Sequence, residues 1–367
     1  MKRLGIEQLW RDDVAGARLS RAALVPASWL FRTATWVRNR LYDQRLLAVE
    51  RADAPVVCVG NLTVGGSGKT PLVIWLVERL LERGRRPVVV SRGYASAARR
   101  TTAVATPLPS QLPAGVSAVD SREPAGPLAG DEAVLVARRT GIPVVTGADR
   151  IAACRTALAM YDADIIVLDD GFQHRRLHRD LDIVIVDEAD RAALVLPAGP
   201  LREGMRALER ADFVVDTGRG AAPGSITMEG APEALVARVS REAELESLSR
   251  LKGAAVLAIA GIARPRRFIG MLESHGAQVI EAHVFADHHN YTLADWETLD
   301  RAAERADLIV TTEKDLVKLE AFASRDSRPP LRALRYGVSV EGADALLERI
   351  GGFDVREMRP HHFENGG

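Results

Sequence analysis

The sequence predicts an α/β fold in which a doubly wound, mainly parallel sheet is followed by a second, smaller α/β domain. Three observations predict it. Short β-branched runs that are apolar throughout alternate with helical stretches from residue 55 onward, and strands of this kind belong to parallel sheets covered on both faces. A glycine-rich turn joins the first strand to the first helix. A second alternation of strands and helices begins near residue 254.

The predicted strands follow from the apolar runs. The first domain has six of them, at 55–60, 86–92, 142–146, 164–170, 181–187 and 212–216. The helix after the first strand is the clearest, because apolar residues recur at helical spacing from Leu72 to Leu81 and Gly84 then ends the pattern. The second domain has strands predicted at 254–260, 278–280 and 307–311.

Composition shifts predict the domain organisation. Residues 94–128 are rich in Ala, Pro, Ser and Arg without periodicity, which predicts a long loop. The predicted parts are a basic amphipathic N-terminal segment at 1–48, the first α/β domain at 49–220, a linker with weak strand-like pieces (225–228 and 235–239) at 221–250, the second α/β domain at 251–350 and a tail at 351–367.

Composition also excludes several classes of protein. Lys plus Arg and Asp plus Glu both total 49, so overall charge gives no reason to expect a nucleic-acid partner. Cys58 and Cys154 lie in apolar surroundings without the spacing of a disulfide framework or a zinc site, which predicts a reducing, intracellular location. Charged residues interrupt every candidate transmembrane or signal segment. Nothing in the sequence indicates an obligate protein partner.

The N-terminal segment has two interpretations. Residues 24–47 mix aromatic and aliphatic side chains with Arg32, Arg38, Arg40 and Arg45. A helix with its aromatics and arginines on opposite sides would suit the plane of an anionic membrane surface. The alternative is a helix packed on its own domain with its arginines facing water.

The segment 59–71, VGNLTVGGSGKTP, predicts a phosphate-binding P-loop. Glycines let the backbone turn its amides toward an anion at a helix N-terminus, Lys69 would reach the β- and γ-phosphates, and Thr70 would offer its hydroxyl to Mg²⁺. The usual pattern has glycine six residues before the lysine, where this chain has Thr63. The residues predicted to bind the nucleotide here are Thr63, Gly65, Gly66, Ser67, Gly68, Lys69 and Thr70.

A second signal is the strand at 164–170, which ends in Asp169 and Asp170. An acidic strand of this form supports Mg²⁺ in P-loop enzymes. The strand at 181–187 has almost the same form, so the strand pattern alone does not choose between them. The polar cluster at 171–174 favours the first, and strand-end solvation with helix capping is the alternative.

Two further strings carry titratable groups. Asp131 opens a predicted amphipathic helix, where capping is one explanation for it. The string 287–291, DHHNY, is too polar for a core, and an imidazole beside a carboxylate could assist a base that takes a hydroxyl proton. A paired-histidine metal site is the competing interpretation of this string.

The string 312–315, TEKD, follows a predicted strand and is similar to the Asn-Lys-x-Asp element by which GTPases read guanine. That interpretation would make the protein a P-loop GTPase or ATPase acting as a switch or metallochaperone. Strand-end charges without a nucleotide role are the alternative.

Together these strings resemble the tetraacyldisaccharide 4′-kinases, the lipid A 4′-kinases of Gram-negative bacteria. One departure is Gly204, which follows Glu203 where we expect proline. The matching strings are 59–71, 91–94, 130–132, 168–174, 196–203, Gly261 and Ile262 with Pro265 and Phe268, 287–288 and 312–315.

The resemblance implies transfer of the ATP γ-phosphoryl group to the 4′-hydroxyl of a tetraacylated glucosamine disaccharide 1-phosphate, giving lipid IVA. It implies two α/β/α domains with the active site in the cleft between them. Asp131 would accept the hydroxyl proton, and His288 would assist it. Lys69 and Thr70 would bind phosphates and Mg²⁺. Arg202 would clamp a phosphate. The carboxylates that would help to hold the metal are Asp169, Asp170 and Glu203.

A lipid acceptor also changes the interpretation of the N-terminus. It favours an interfacial helix on an anionic membrane and a peripheral location at the cytoplasmic face of the bacterial inner membrane. Two rivals stay open at this point, the switch or metallochaperone and a soluble sugar or nucleoside kinase. The soluble kinase would have no use for a membrane-facing helix.

Overall fold

A computed structural model describes Trp10 and residues 15–92, 116–119, 130–218, 224–323 and 328–353. Most of the predicted loop at 94–128 and most of the predicted tail at 351–367 lie outside the described residues. Among those described, 116–119 form a strand and 351 ends a helix.

Helices and strands alternate along the described chain. The helices are α1 (Ala15–Asp43), α2 (Lys69–Glu82), α3 (Asp131–Thr140), α4 (Arg150–Met160), α5 (Glu188–Arg191), α6 (Pro265–Ser274), α7 (Leu293–Ala302), α8 (Glu313–Leu319) and α9 (Asp344–Gly351). The strands are β1 (Val56–Asn61), β2 (Pro87–Ser91), β3 (Val116–Val119), β4 (Val144–Gly147), β5 (Ile165–Asp169), β6 (Leu181–Val186), β7 (Phe213–Asp216), β8 (Ile226–Val236), β9 (Ala255–Ala260), β10 (Gln278–Val284), β11 (Leu308–Thr312) and β12 (Leu331–Glu341).

The chain divides into two compact units. The first comprises Met1–Lys69, Asp164–Glu229 and Val340–Gly367, and the second comprises Thr70–Ala163 and Gly230–Ser339. The domain boundaries expected from the sequence stay a prediction.

In the first unit β1 lies between β5 and β6 and runs parallel to both. Strand β7 is parallel to β6 and pairs with the start of β8, also in parallel. Every residue of β1, β5 and β6 is buried. Burial along the whole strand is what a parallel sheet covered on both faces requires.

In the second unit β9 lies between β10 and β11, and all three strands are parallel. Strand β12 is parallel to β11, β2 is parallel to β4, and β3 is antiparallel to β4. Phe268 and Leu272 of α6 are buried in the core with Val256 and Ala258 of β9. The prediction of an α/β fold with mainly parallel strands is therefore confirmed.

The nine predicted strands are all present, with ends that shift by up to four residues. The largest difference lies in the predicted linker, where two weak pieces are replaced by the single 11-residue strand β8. Gly230 lies between these two pieces, and a Cβ there would come within 2.2 Å of the Tyr336 hydroxyl. A glycine inside a strand commonly marks such a close approach.

Helix α1 packs on the first unit along one face. The Ser28 hydroxyl donates to the carbonyl of Val195 at 2.9 Å and accepts from the amide of Ala198 at 3.0 Å. Asn39, three turns further on, has its carbonyl bound by Arg175 at 3.0 Å. These contacts hold a face of the helix against the segment 195–198 and against Arg175.

Another face of α1 is exposed. The side chains of Trp29 and Trp36 are 67% and 64% exposed, and with Arg32 and Thr33 they line a surface groove. The prediction that aromatics and arginines lie on opposite sides is wrong for Arg32, because residues three, four and seven apart share a helix face. In the part of the chain that the structure describes, every helix is too short or too polar to cross a bilayer.

Candidate functional site

The phosphate loop connects β1 to α2. Gly65 and Gly68 have φ angles of 109° and 85°, which glycine adopts without strain. The backbone of Thr63 does not have a positive φ, and its hydroxyl accepts from the Asn61 amide at 3.0 Å. Threonine therefore fits where the common pattern has glycine.

Asn61, at the end of β1, is fully buried and joins the polar groups of this loop. Its amide nitrogen also donates to the Ser67 hydroxyl at 2.6 Å. Its side-chain oxygen accepts from Lys69 Nζ at 3.1 Å and from the Arg202 guanidinium. Asn61 thus aligns two hydroxyls and two cations of the predicted phosphate site.

Asp170 lies beside the same two cations. Arg202 binds it in a bidentate manner, at 2.7 and 3.1 Å, and Lys69 Nζ is 3.6 Å from its Oδ1. Asp170 has a φ of 55°, and non-glycine residues in this region cluster at functional sites. The backbone amide of Arg202 donates to Leu62 at 2.6 Å, so the 196–203 segment runs beside the loop.

The four predicted metal ligands are not alike. Asp169 ends β5 and is 8% exposed, and Thr70 lies in the first turn of α2. Asp170 has the cationic partners described above. Within the described ranges, no group of three or more His, Cys, Asp or Glu side chains is placed to hold a metal ion.

Glu203 differs most from its prediction as a metal ligand. Its side chain is 3% exposed, its Oε2 accepts from Asn39 at 2.6 Å and from Arg210 at 2.9 Å, and its Oε1 lies 3.4 Å from Arg38 Nη2. Two of these partners, Arg38 and Asn39, belong to α1, so Glu203 anchors that helix. Gly204, where proline was expected, has a φ of −68°, the value that proline also adopts.

The two acidic strands are now distinguishable. Asp187, after β6, caps α5 by accepting from the amide of Ala189 at 3.0 Å, and the Asp190 side chain completes a capping box. Asp170, directly after β5, instead contacts Lys69 and Arg202 beside the phosphate loop. Capping therefore accounts for Asp187, whereas Asp170 belongs with the phosphate loop.

In the second unit Asp131 and His288 meet. Nδ1 of His288 is 3.0 and 3.1 Å from the two oxygens of Asp131, and Lys318 Nζ donates to Oδ2 at 3.2 Å. Asp131 is the first residue of α3 rather than its N-cap, which is Gly130. Capping alone does not account for Asp131, because its Oδ1 accepts from the Glu132 amide at 2.9 Å but its carboxylate also contacts His288 and Lys318 from outside α3.

His288 and His289 have different environments. His288 has a φ of 61°, and its amide donates to Gly261 at 3.3 Å. The ring of His289 pairs with Asp295 at 3.2 Å and stacks on Phe285 with centroids 4.6 Å apart. The two rings face different partners, so the described contacts give no support to a paired-histidine metal site.

The charges around Asp131 determine its protonation. Burial alone would raise the pKa of this carboxyl, but the hydrogen bond from His288 and the charges of Lys314 and Lys318 outweigh it and lower the pKa to about 2. The hydrogen bond to Asp131 raises the pKa of His288, against burial and Lys314, which lower it. Asp131 is therefore ionised at neutral pH.

The TEKD string covers the end of β11 and the start of α8, and the contacts of its side chains lie within the second unit. Asp315 accepts from the Gly261 amide at 2.9 Å and from the Thr312 hydroxyl at 2.8 Å. Glu313 pairs with Arg139 at 2.7 Å, and Lys314 Nζ is 3.2 Å from Nε2 of His288. These contacts account for the string without a nucleotide base.

A family model described as tetraacyldisaccharide-1-P 4′-kinase matches residues 20–351 of this chain. The chain belongs to this kinase family. A tetraacyldisaccharide 4′-kinase of Anaeromyxobacter sp. (strain K) is 39% identical over 367 residues, covering 93% of each chain. One from Methylobacillus flagellatus is 42% identical over 304 residues, covering 82% of this chain and 84% of its own.

A solved structure supports the same assignment of fold. The "apo" form of LpxK from Aquifex aeolicus in complex with ATP matches with a TM-score of 0.74 and 31% identity, over 90% of this chain and 98% of its own. The predicted P-loop α/β fold is therefore confirmed for this member of the kinase family.

Sequence reasoning missed three polar residues around the kinase motifs. Asn61 lies within the loop segment 59–71, and the signal that could have found it is a polar residue at the end of an apolar strand. Lys314 and Lys318 stood in or beside the TEKD string, but no local pattern connects them to Asp131. The roles predicted for Asp131, His288 and Lys69 stay predictions, although the structure joins the first two in one cluster and Lys69 to the loop.

Proposed function

We propose that this chain transfers the γ-phosphoryl group of ATP to the 4′-hydroxyl of tetraacyldisaccharide 1-phosphate, forming lipid IVA in lipid A biosynthesis. The observation that carries the proposal is the family match over residues 20–351. The ATP complex of the structural relative supports ATP as the donor. The reaction forms a bond from the 4′-oxygen to the γ-phosphorus, breaks the bond to the β-phosphate oxygen and releases ADP.

The donor phosphates bind at the glycine loop. Lys69 and Arg202 are already held there by Asn61 and Asp170. A triphosphate competes with Asp170 for these cations, because phosphate oxygens accept the same charge-assisted hydrogen bonds. Phosphoryl transfer requires mainly positioning and charge stabilisation from the protein, and this cluster supplies both.

The oxygen-bearing side chains at the phosphate loop fit Mg²⁺, but fewer of them are suited to be its ligands than the sequence predicted. Mg²⁺ prefers oxygen ligands and is commonly held by one or two carboxylates together with phosphates and water. The Thr70 hydroxyl and the Asp169 carboxylate are such ligands, whereas Glu203 is bound by Arg38, Asn39 and Arg210. When bound, Mg²⁺ neutralises charge on the phosphates.

Asp131 accepts the proton of the 4′-hydroxyl as the oxygen attacks phosphorus. Its low pKa suits a transition state that is largely dissociative, in which an ionised and oriented carboxylate matters more than a strong base. The hydrogen bond from His288 orients the carboxylate, and Lys318 stabilises its charge.

The test is transfer from labelled ATP to the lipid disaccharide by the purified full chain. Asp131→Asn should lower the rate by about 10²–10⁴-fold, the usual contribution of a general base, while ATP binding is retained. Asp295→Asn is the matched control, because that carboxylate pairs with His289 instead. Absence of lipid product from the unmodified chain would refute the proposed activity, and loss of ATP binding in Asp131→Asn would assign Asp131 a structural role.

The exposed face of α1 rests on an anionic membrane surface at the cytoplasmic face of the inner membrane, where the lipid substrate resides. Trp29, Leu30 and Trp36 are each at least 64% exposed, with Arg32 between the two tryptophans. Aromatic rings suit the interface between water and lipid, and arginine is attracted to anionic head groups.

Sedimentation with phosphatidylglycerol vesicles tests this placement. The double variant Trp29→Ala/Trp36→Ala should sediment less than the unmodified chain. Leu245→Ala/Leu293→Ala is the control, because both leucines are also exposed, at 56% and 59%, but lie in the second unit. Equal sedimentation of the tryptophan variant and the unmodified chain would contradict the interfacial role.

A further inference from the structure

Lys314 faces the side of the His288 ring that lies away from Asp131. Its Nζ is 3.2 Å from Nε2 of His288. Asp287, Glu132 and Asp131 surround the same ammonium at 3.1, 3.4 and 4.0 Å. Burial alone would lower the pKa of Lys314, but these three carboxylates raise it, so the lysine stays charged.

A charged lysine constrains the ring beside it. An ammonium group has three donors and no lone pair, whereas a neutral imidazole has one donor and one acceptor nitrogen. Nε2 must therefore accept from Lys314, and the ring proton must lie on Nδ1, which faces the Asp131 oxygens at 3.0 and 3.1 Å. With the proton on Nε2, a donor would face the ammonium and a lone pair would face the carboxylate.

We propose that Lys314 is a positioning residue that fixes His288 as the Nδ1–H tautomer, so that the ring donates to Asp131. The charged groups facing the ring are Asp131 from α3, Lys314 from α8 and Asp287 from its own loop, with Asp287 Oδ2 3.8 Å from Nε2. Lys318 touches Asp131 instead. The catalytic consequence of the tautomer rests on the proposed kinase activity, whereas the tautomer itself does not.

The arrangement assigns separate tasks to the two lysines of α8. Lys318 stabilises the negative charge on Asp131, and Lys314 sets which nitrogen of His288 carries the proton. A residue that acts only by setting a histidine tautomer can have a large effect on the reaction rate, because the wrong tautomer removes the hydrogen bond that orients the base. The TEKD string thus supports the acceptor side of the reaction.

Nitrogen NMR of the ¹⁵N-histidine-labelled full chain tests the tautomer directly. The chain has eight histidines, and His288→Gln assigns the signal by its disappearance. Above the pH at which the ring is protonated, His288 should show a protonated Nδ1 in the unmodified chain, in Lys314→Arg and in the exposed-lysine control Lys252→Met. Lys314→Met should shift the population toward Nε2–H, and Lys318→Met should not.

Kinetics provide the second measurement. Lys314→Met should lower kcat by at least about tenfold with little change in the KM for ATP, and Lys314→Arg should restore it. The pKa of His288, read from the same NMR signals, should rise in Lys314→Met, since loss of a nearby cation makes the ring easier to protonate. The proposal is overturned if Lys314→Met keeps the unmodified tautomer, or if Lys318→Met alters it equally. Because the NMR measurement needs no turnover, its failure is distinguishable from failure of the proposed kinase activity.

Discussion

Helix α3, which carries Asp131, and helix α8, which carries Lys314, are joined by a buried ion pair. Arg139 Nη1 donates to both oxygens of Glu313, at 2.8 and 2.7 Å. The two side chains are only 4% and 7% exposed. We predict that Arg139→Met is strongly destabilising.

The magnitude follows from burial. Removing one partner of a buried pair leaves an uncompensated charge and costs about 3–5 kcal/mol. Glu313 would keep the amide of Tyr336, 3.2 Å away, which cannot replace a guanidinium. Replacing both members by apolar groups removes the uncompensated charge, so Arg139→Met/Glu313→Leu should recover most of the loss.

Native-state hydrogen exchange of the α3 amides is the assay, because a chain of two compact units need not unfold in one step. Arg86→Met is the control, since its pair with Asp162 is 57% and 89% exposed and such pairs contribute less than about 1 kcal/mol. If Arg139→Met loses no more stability than this control, the reasoning from burial is refuted.

Three further predictions concern Asn61 in the phosphate loop, Glu203 beneath α1, and Asp131. Asn61→Ala should raise the Kd for ATP by about 10–100-fold in calorimetry, since hydrogen bonds to charged groups contribute about 1.5–3 kcal/mol; a Kd within about twofold of the unmodified value would contradict it. Glu203→Gln should speed amide exchange in Ala15–Asp43, and unchanged exchange would argue against an anchoring role. The stability difference between the unmodified chain and Asp131→Asn, measured by native-state hydrogen exchange of the α3 amides, should depend on pH. The difference should shrink as pH falls from about 4 to about 2, because the pKa of Asp131 is lowered to about 2. It should shrink again as pH rises through the raised pKa of His288. A stability difference that does not change with pH would disprove the linkage.

Much of the fold could be predicted because its signals are local. The apolar runs of β1, β5 and β6 reflect burial on both sheet faces, and the periodicity of α2 reflects its buried face. The β8 strand was predicted only as two weak pieces, because a local pattern does not show that Gly230, between them, allows a close approach to Tyr336 in the folded chain.

The candidate site divides in the same way. The phosphate loop is written in consecutive residues, so the sequence by itself determined where Lys69 and its glycines lie. The sequence by itself did not determine the charge state of Asp131 or the tautomer of His288. These residues are 157 positions apart, and Lys314 reaches them from a third segment. Only tertiary structure decided that Glu203 anchors a helix and that Lys314 faces the histidine. The physical reason is that hydrogen bonds and charges act at a few ångströms, and packing alone brings distant segments that close.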